Sequence, residues 1–357
     1  LYEPLTGRFT ANFNNADMSL SGPLQLVSTG QHIADVSARI DLRRLNGTAR
    51  AETPVLVFQE DGLQPRDLTD RVRGLLTNAR GTMQAEADFN ILSGQLSGTS
   101  RFTVTDLGFD TLRLGPVDGV NGSLYFDDII AITTPPKQTV TIDRLDPGVV
   151  LTDGRLQFQI LEGQKAQLEA AEWPFAGGRL FVEPTLWTIA GTTDTINVKA
   201  EQIELSDVVE ALNVPDMQAE GTISGTFPIE LRSGNTYIRD ARFAVDEDGG
   251  SLRYTGSALN AVGGGNQIVS DAFRALQDLQ YTVLELGLDG NLLGEISLKV
   301  LLLGKNPDVL NGAEFEFDVT IDSELAQLLQ AGQRATSSQW LAEAVATQVR
   351  EGPPPQE

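Results

Sequence analysis

The sequence contains no cysteine and only one histidine, His32. The absence of cysteine excludes disulfide scaffolds, zinc–thiolate sites, iron–sulfur clusters and cysteine nucleophiles. A single histidine excludes histidine-rich metal sites, and no pattern of a base partner accompanies His32, so we interpret it as a surface residue in a turn. We therefore expect no catalytic residue, no metal site and no cofactor.

Basic residues are also few: 26 lysines and arginines stand against 49 acidic residues, and the formal net charge is −23. Such a charge repels the phosphates of nucleic acids, so we expect no nucleic-acid partner. The sequence lacks the G-x-S-x-G and H-E-x-x-H motifs, the Walker loop and a dinucleotide-binding glycine motif. Together these features predict a protein that is not an enzyme.

Long apolar runs are missing as well. No run of 18 or more apolar residues occurs, so no segment is predicted to cross a bilayer as a helix. The chain begins at Leu1 without the basic and apolar regions of a signal peptide. We expect it to be an excised part of a longer protein whose anchor or signal lies before Leu1.

The dominant pattern that is present is an alternation of apolar and polar residues. In residues 315–321 phenylalanine, valine and isoleucine alternate with acidic residues and threonine, which predicts a strand with one apolar and one polar face. Residues 284–288 and 296–300 alternate in the same way, and Asp-Gly-Asn at 289–291 predicts the turn of a hairpin between them. The chain is therefore predicted to be mainly β.

Glycine supports this prediction, since the 35 glycines are spread along the chain. Segments 121–126, 153–158, 177–182 and 249–254 each have a glycine turn followed by leucine and a bulky residue two positions later. The pairs Asn-Gly, Asp-Gly and Gly-Gly favour tight hairpin turns. We therefore predict a meander of hairpins with a turn at each of these segments.

Helical spacing is limited to short segments near residues 68–79, 206–212, 269–279 and 325–329. The stretch from Trp340 to Val349 fits a helix and also fits a strand. We expect the helices to cap the ends or the rim of the sheet.

The predicted sheet has more apolar face than the few helices can cover. It can bury this face against a second sheet, or it can curl into a trough that holds an apolar ligand. A strand of six residues spans roughly 20 Å, which is comparable to one acyl chain.

The segment Trp173-Pro174-Phe175 either closes one end of the sheet or contacts such a ligand. Residues 246–249 resemble the start of a calcium loop but are interpreted as an acidic hairpin turn.

Several segments between about residues 150 and 330 resemble the C-terminal region of the YdbH family of AsmA-like proteins. The motifs that carry the resemblance are Gly154-Arg155-Leu156, Trp173-Pro174-Phe175-Ala176-Gly177-Gly178, Leu205-Ser206-Asp207-Val208-Val209, Gly221-Thr222-Ile223-Ser224-Gly225, Asp240-Ala241-Arg242-Phe243, Gly249-Gly250-Ser251-Leu252-Arg253-Tyr254, Ala272-Phe273-Arg274-Ala275-Leu276, Leu288-Asp289-Gly290-Asn291 and Gly304-Lys305-Asn306-Pro307.

The resemblance implies a periplasmic segment of a longer protein that is anchored in the inner membrane by a part absent from this chain. It implies a curled antiparallel sheet that forms an open hydrophobic groove, with a few short capping helices. The implied function is the movement of phospholipid between the inner and outer membranes of Gram-negative bacteria. The implied partners are phospholipid and an outer-membrane lipoprotein that docks at the C-terminal sheet edge by adding strands.

We expect residues 1–150 to form the N-terminal part of the curled sheet and residues 151–335 the C-terminal groove region. Residues 336–357 are expected to form a helix or a docking strand followed by a proline-rich tail. The residues expected to line the lipid groove are Ile223, Phe227, Ile229, Phe243, Val245, Leu284, Leu286, Leu288, Ile296, Leu298, Phe315, Phe317 and Val319.

Two other interpretations stay open from the residues alone. The first is a closed β-sandwich that serves as a scaffold or adhesion module and holds no lipid. The second is a glycan hydrolase that uses a pair of carboxylates, although the acidic residues are scattered along predicted strands.

Overall fold

A computed structural model describes residues 4–69, 76–111, 114–147, 149–163, 165–188, 193–211, 216–232, 235–246, 249–256, 267–291 and 294–324. The expected helix near 325–329 and the stretch from Trp340 to Val349 lie outside these residues. The chain divides into two compact units. Unit 1 comprises Leu1–Glu172 and Glu183–Gly191, and unit 2 comprises Trp173–Val182 and Thr192–Glu357.

Unit 1 is built from an antiparallel sheet. Its strands are β1 (Leu5–Gly7), β2 (Thr10–Asn14), β3 (Asp17–Leu26), β4 (His32–Asp41), β5 (Asn46–Glu52), β6 (Leu56–Phe58), β7 (Thr77–Leu92), β8 (Gln95–Thr111), β9 (Gly115–Phe126), β10 (Gln138–Leu145), β11 (Leu151–Leu161), β12 (Lys165–Phe175) and β14 (Thr185–Thr188).

The strands of unit 1 follow one another as a meander. β1 and β2 lie end to end along β3, and β3, β4, β5, β7, β8, β9, β10, β11, β12 and β14 then pair in that order. β6 extends the β5 side of the sheet by pairing with the first part of β7. Among the described strands β1 and β2 pair only with β3, so this edge of the sheet is open.

Unit 2 contains a second antiparallel meander. Its strands are β13 (Gly178–Val182), β15 (Thr193–Glu204), β16 (Met217–Glu220), β17 (Thr222–Arg232), β18 (Asn235–Val245), β19 (Gly250–Tyr254), β20 (Leu279–Asn291), β21 (Glu295–Lys305) and β22 (Glu314–Glu324). β13, β15, β17, β18, β20, β21 and β22 pair in that order. β16 pairs with β19, which pairs with the start of β20.

These strands confirm the prediction of a mainly β, antiparallel and open fold. In the part of the chain that the structure describes, β22 pairs with β21 alone, so unit 2 also has an open edge. The hairpin predicted around 289–291 forms between β20 and β21, with Gly290 opposite Ile296.

Two short helices accompany the sheet of unit 2. Helix α1 spans Leu205–Ala211 and helix α2 spans Gln267–Ala275, close to two of the predicted helices. α2 lies against strand ends, because the Asn306 amide donates hydrogen bonds to the carbonyl oxygens of Arg274 and Ala275 at 3.2 and 3.3 Å. Leu279, which was included in the predicted helix, instead starts β20.

The helix predicted near residues 68–79 is wrong for its described residues. A single 3-10 turn occupies Pro65–Asp67, and Ala79 lies inside β7. The Gln64 side chain explains this, since its oxygen accepts the Ala79 N–H at 2.9 Å and its nitrogen donates to the Ala79 carbonyl at 2.8 Å. The Gln64 side-chain amide thus forms the two hydrogen bonds that a neighbouring strand would otherwise form with Ala79. The spacing of apolar residues in the sequence does not reveal this contact.

Two of the four predicted glycine turns are also wrong. Gly122 and Gly154 lie inside β9 and β11, where they face Val140 and Ile142 on β10. A Cβ atom on Gly122 would lie only 2.9 Å from the Thr139 carbonyl oxygen. These glycines therefore permit close strand packing within the sheet. The predicted turn before Gly178 is confirmed, since β12 ends at Phe175 and β13 begins at Gly178.

Gly250 on β19 leaves space for the Tyr281 side chain to cross from β20 to the backbone of β16. It lies opposite Tyr281 on β20, and the Tyr281 hydroxyl donates a 2.6 Å hydrogen bond to the Glu220 carbonyl. A Cβ atom at position 250 would lie 2.0 Å from that carbonyl oxygen and 2.3 Å from the hydroxyl. The crossing therefore requires glycine at this position.

We predict that Gly250→Ala lowers the free energy of unfolding by about 1–3 kcal/mol, because the new methyl group overlaps backbone and ring atoms. Urea unfolding followed by circular dichroism measures the change. Gly287→Ala is the matched control, since its Cβ would make only an ordinary contact, at 3.5 Å from the Lys299 Cβ. Equal stability of the two variants would contradict the prediction.

Candidate functional site

The candidate site is the apolar face of the sheet in unit 2. Residues directly opposite each other on antiparallel strands share a face of the sheet. Phe243 on β18 lies opposite Leu286 on β20, which lies opposite Val300 on β21. In the next row Leu288 lies opposite Leu298. The register therefore places apolar side chains side by side across neighbouring strands.

The middle of this face is half-buried, whereas the rows on either side are buried. The half-buried set, which we call the lane, comprises Phe243, Leu286, Leu288, Leu298, Val300 and Ile321. On one side of the lane Ile238 and Ile296 are 5% and 4% exposed, and on the other side Leu284 and Leu302 are 5% and 4% exposed. The lane is thus a strip of partly exposed apolar surface on β18, β20, β21 and β22.

All thirteen residues expected to line a groove lie on this one face. Eight of them are half-buried: Phe227, Ile229, Phe243, Val245, Leu286, Leu288, Leu298 and Phe315. The other five are buried: Ile223, Leu284, Ile296, Phe317 and Val319. The structure brings them together by strand pairing; contact with lipid stays a prediction for each of them.

The expected set omitted residues that share the face. Val300 and Leu302 belong to it, since they lie opposite Leu286 and Leu284. They stand in the continuous run Val300-Leu301-Leu302-Leu303, which hides the alternation that their neighbours show. Extending the alternation from Ile296 and Leu298 by two more steps identifies both.

Bulges keep the face apolar where strict alternation fails. On β18, Ile238 and Ala241 face Gly290 and Leu288, so the two intervening residues oppose a single residue of β20. Asp240 in this bulge has a φ of +48°. The bulge returns the apolar residues to the same face after three positions instead of two. On β15 a similar irregularity separates Ala200 and Ile203.

The opposite face of unit 2 is polar and carries ion pairs. Arg232 and Arg239 both approach Glu230, at 2.8 and 3.5 Å, and Arg239 also lies 3.2 Å from Asp289. The hydrogen bond from Arg232 holds the pKa of Glu230 below its ordinary value. Both guanidinium groups lie over the Tyr237 ring, at 5.4 and 4.8 Å from its centroid. The charged side chains of these ion pairs thus lie on the face opposite the lane.

The two faces differ in what they can bind. The lane carries only carbon side chains, so it can cover an apolar ligand without leaving a hydrogen-bonding group of its own unpaired. Among the described residues no group of three or more histidine or acidic side chains could hold a metal ion. The site is therefore suited to apolar contact.

The other sequence motifs have the following places. His32 begins β4 and is partly exposed, 3.2 Å from Asp35. The backbone N–H of Gly249 donates to the Asp246 carbonyl at 3.3 Å, while residues 247 and 248 lie outside the described chain. Trp173 is buried, and its indole nitrogen has no hydrogen-bond partner among the residues that the structure describes. Whether Trp173 closes the sheet or contacts a ligand stays a prediction.

Neither described helix is long and apolar enough to cross a membrane. A family model described as "YdbH-like: Intermembrane phospholipid transport protein YdbH" matches residues 5–338. Comparisons with curated proteins and with solved structures give no match.

The hydrogen bond from the Tyr281 hydroxyl to the Glu220 carbonyl can be tested by its dependence on pH. Burial, together with a smaller effect of the nearby Glu220 carboxylate, raises the pKa of Tyr281 to about 12. Because the folded-state pKa lies above the ordinary value near 10, the stabilisation by neutral Tyr281 is complete below about pH 10 and is lost as the pH rises through about 12.

We predict that Tyr281→Phe lowers the free energy of unfolding by about 1 kcal/mol at about pH 8, because the Glu220 carbonyl loses its donor. The difference from the unmodified protein should shrink above about pH 10. Urea unfolding across this range measures it, and Tyr125→Phe on an exposed tyrosine is the control. A difference that stays constant with pH would contradict the assignment.

Proposed function

The chain belongs to the YdbH-like family of intermembrane phospholipid transport proteins, and on this basis we propose that it is a periplasmic segment of a bridge-like protein. In this proposal phospholipids move between the inner and outer membranes along a hydrophobic groove. The apolar face of unit 2 forms part of that groove, and the lane contacts the acyl chains. A segment that precedes this chain anchors the longer protein in the inner membrane.

The observation that carries the proposal is the partial exposure of the lane. A sheet normally buries its apolar face against another layer, and contiguous exposed apolar surface marks a place where a ligand or partner binds. In the lane large side chains such as Leu286, Leu288 and Leu298 stay half-buried on four adjacent strands. An acyl chain laid across these strands would complete their burial.

The chemistry of the lane suits transport better than tight retention. Each CH₂ group taken out of water contributes on the order of 0.8 kcal/mol, so an acyl chain is held mainly by its length. The hydrophobic effect has no preferred direction, and the lane offers no hydrogen bond that fixes one position. A chain can therefore shift along the rows while a similar area stays covered.

The proposal assigns no catalytic step to this chain. It also includes docking of an outer-membrane lipoprotein at the C-terminal sheet edge, by addition of a strand beside β22. β22 supports this part, because among the described strands it pairs on one side only, with β21. Residues 336–357 are proposed to contribute a helix or a docking strand near this edge.

Replacement of one lane residue tests the function. We predict that Leu286→Asn binds about one phospholipid fewer per chain than the unmodified protein, because the acyl chain would cover an amide that has no partner. Leu301→Asn is the matched control: Leu301 is also half-buried but lies one residue beyond Val300, on the polar face. Native mass spectrometry and lipid extraction of the purified chain measure the bound lipid.

The unmodified protein should carry one or more phospholipids per chain, and the control should carry as many. A protein that stays free of lipid after incubation with phospholipid vesicles would overturn the proposal. That result would favour a closed sandwich that acts as a scaffold or adhesion module.

A further inference from the structure

The last apolar row of unit 1 before the hairpin turns spans six strands. It runs Phe13, Met18, Ile40, Gly47, Ile91, Leu96 on β2, β3, β4, β5, β7 and β8. We call these residues the end row. With strands about 4.8 Å apart, the row is roughly 24 Å long, which exceeds the roughly 15 Å that acyl chains span in one leaflet.

The end row is incompletely covered. Phe13 and Leu96, at its two ends, are 65% and 52% exposed, and Met18, Ile40 and Ile91 are half-buried. Leu42, two residues beyond Ile40, is exposed as well. Apolar surface therefore continues to the limit of the strands at this edge of unit 1.

Two arginines stand in the turn directly beyond this row. Arg43 and Arg44 join β4 to β5 and lie between the exposed Leu42 and Leu45. The Asp41 carboxylate fixes the turn by accepting their backbone N–H groups at 2.9 and 3.3 Å. The turn is also tied to its neighbours, since Leu42 N–H donates to the Ala16 carbonyl and Gly94 N–H donates to the Leu45 carbonyl. The position of both arginines is thus set by the backbone.

The guanidinium groups of Arg43 and Arg44 take little part in ion pairs with other described residues. The Arg44 side chain is 80% exposed, and its one ion pair with a described residue joins it to Asp41 at 4.0 Å. Arg43 forms no ion pair with any residue that the structure describes. Their availability contrasts with Arg50, which lies 2.9 and 3.0 Å from the carboxylates of Glu86 and Asp88.

The order of groups along β4 matches the order of groups in a phospholipid. Ile40 lies near the end of β4 and Arg43 lies in the turn that follows, so the arginine stands beyond the apolar row. A phosphate joined to an acyl chain through glycerol has the same succession of apolar and charged parts. Arginine binds phosphate oxygens through two parallel N–H donors, and its aliphatic stem can lie along apolar surface.

We propose that Arg43 and Arg44 bind the phosphate of a phospholipid whose acyl chain lies on the end row. This inference rests on the proposed function, since it takes the acyl chain as already held by the apolar face. It adds a contact for the head group at one edge of unit 1, and it makes the phosphate a recognised part of the ligand.

The test compares lipids that differ in the phosphate. Dioleoyl phosphatidylethanolamine and dioleoylglycerol share their acyl chains, but dioleoylglycerol has no phosphate. We expect R43E/R44E to bind about one phosphatidylethanolamine molecule fewer per chain, because two attractive charges become repulsive, and to leave the number of bound dioleoylglycerol molecules unchanged. The loss should become smaller between about 50 mM and about 500 mM salt. Native mass spectrometry of the full chain measures occupancy for each lipid.

R101E/R155E is the matched control, because it makes the same charge change at exposed arginines inside β8 and β11. It should retain phosphatidylethanolamine. R43K/R44K should restore most of the binding, and circular dichroism should show that each variant is folded.

Three results would overturn the inference. The first is undiminished phosphatidylethanolamine binding by R43E/R44E in a protein whose unmodified form binds both lipids; the groove proposal would then stand without this contact. The second is an equal loss of both lipids. The third is binding of inorganic phosphate at this turn with no change in lipid occupancy, which would show a site for a free anion. Absence of both lipids from the unmodified protein would instead refute the groove proposal.

Discussion

The constraint on which the structure depends is the register between antiparallel strands. In both units each strand pairs with strands close to it in the sequence, and directly opposite residues share a face. A shift of one residue would move a strand's apolar side chains to the polar face, so the register ties every strand to its neighbours. Bulges such as the one between Ile238 and Ala241 restore the common face where the spacing changes. The result in each unit is a sheet that is apolar on one side, and the described residues form two short helices, both in unit 2.

This arrangement places charged side chains and the apolar lane on different faces of the sheet in unit 2. Ion pairs such as that of Arg239 with Asp289 occupy the polar face of unit 2, while the lane on the other face carries no charge. None of the six lane residues is charged, although the sequence has an excess of acidic residues. In unit 1 the arginines of the β4–β5 turn stand at the limit of the apolar face, where we propose that a phospholipid head group binds. In these proposals the apolar and charged parts of a phospholipid contact separate parts of the protein.

Much of this architecture can be predicted from the sequence, because alternation records which side chains share a face. The strand at residues 315–321 and the hairpin of β20 with β21 follow directly from it. What alternation leaves open is decided by contacts distant in the chain. Gln64 keeps Ala79 in a strand, and Gly122 lies inside β9 because Val140 packs against it. Exposure is another such property: the pattern places Leu286 and Leu284 on one face, but only the packed sheet distinguishes the half-buried residue from the buried one.

Pairing between strands that are close in sequence has a further consequence for how such a protein is made and how it evolves. Many neighbouring strands, such as β7 and β8, are joined by short turns, a topology that favours formation hairpin by hairpin. Along stretches such as β7 to β12 and β20 to β22 the strands pair in chain order, so a hairpin can be gained or lost there without rearranging the rest. Each added hairpin lengthens the sheet by about 10 Å, twice the spacing between strands. Genetic duplication of a hairpin would therefore extend the sheet in uniform steps, as added repeats extend solenoid proteins.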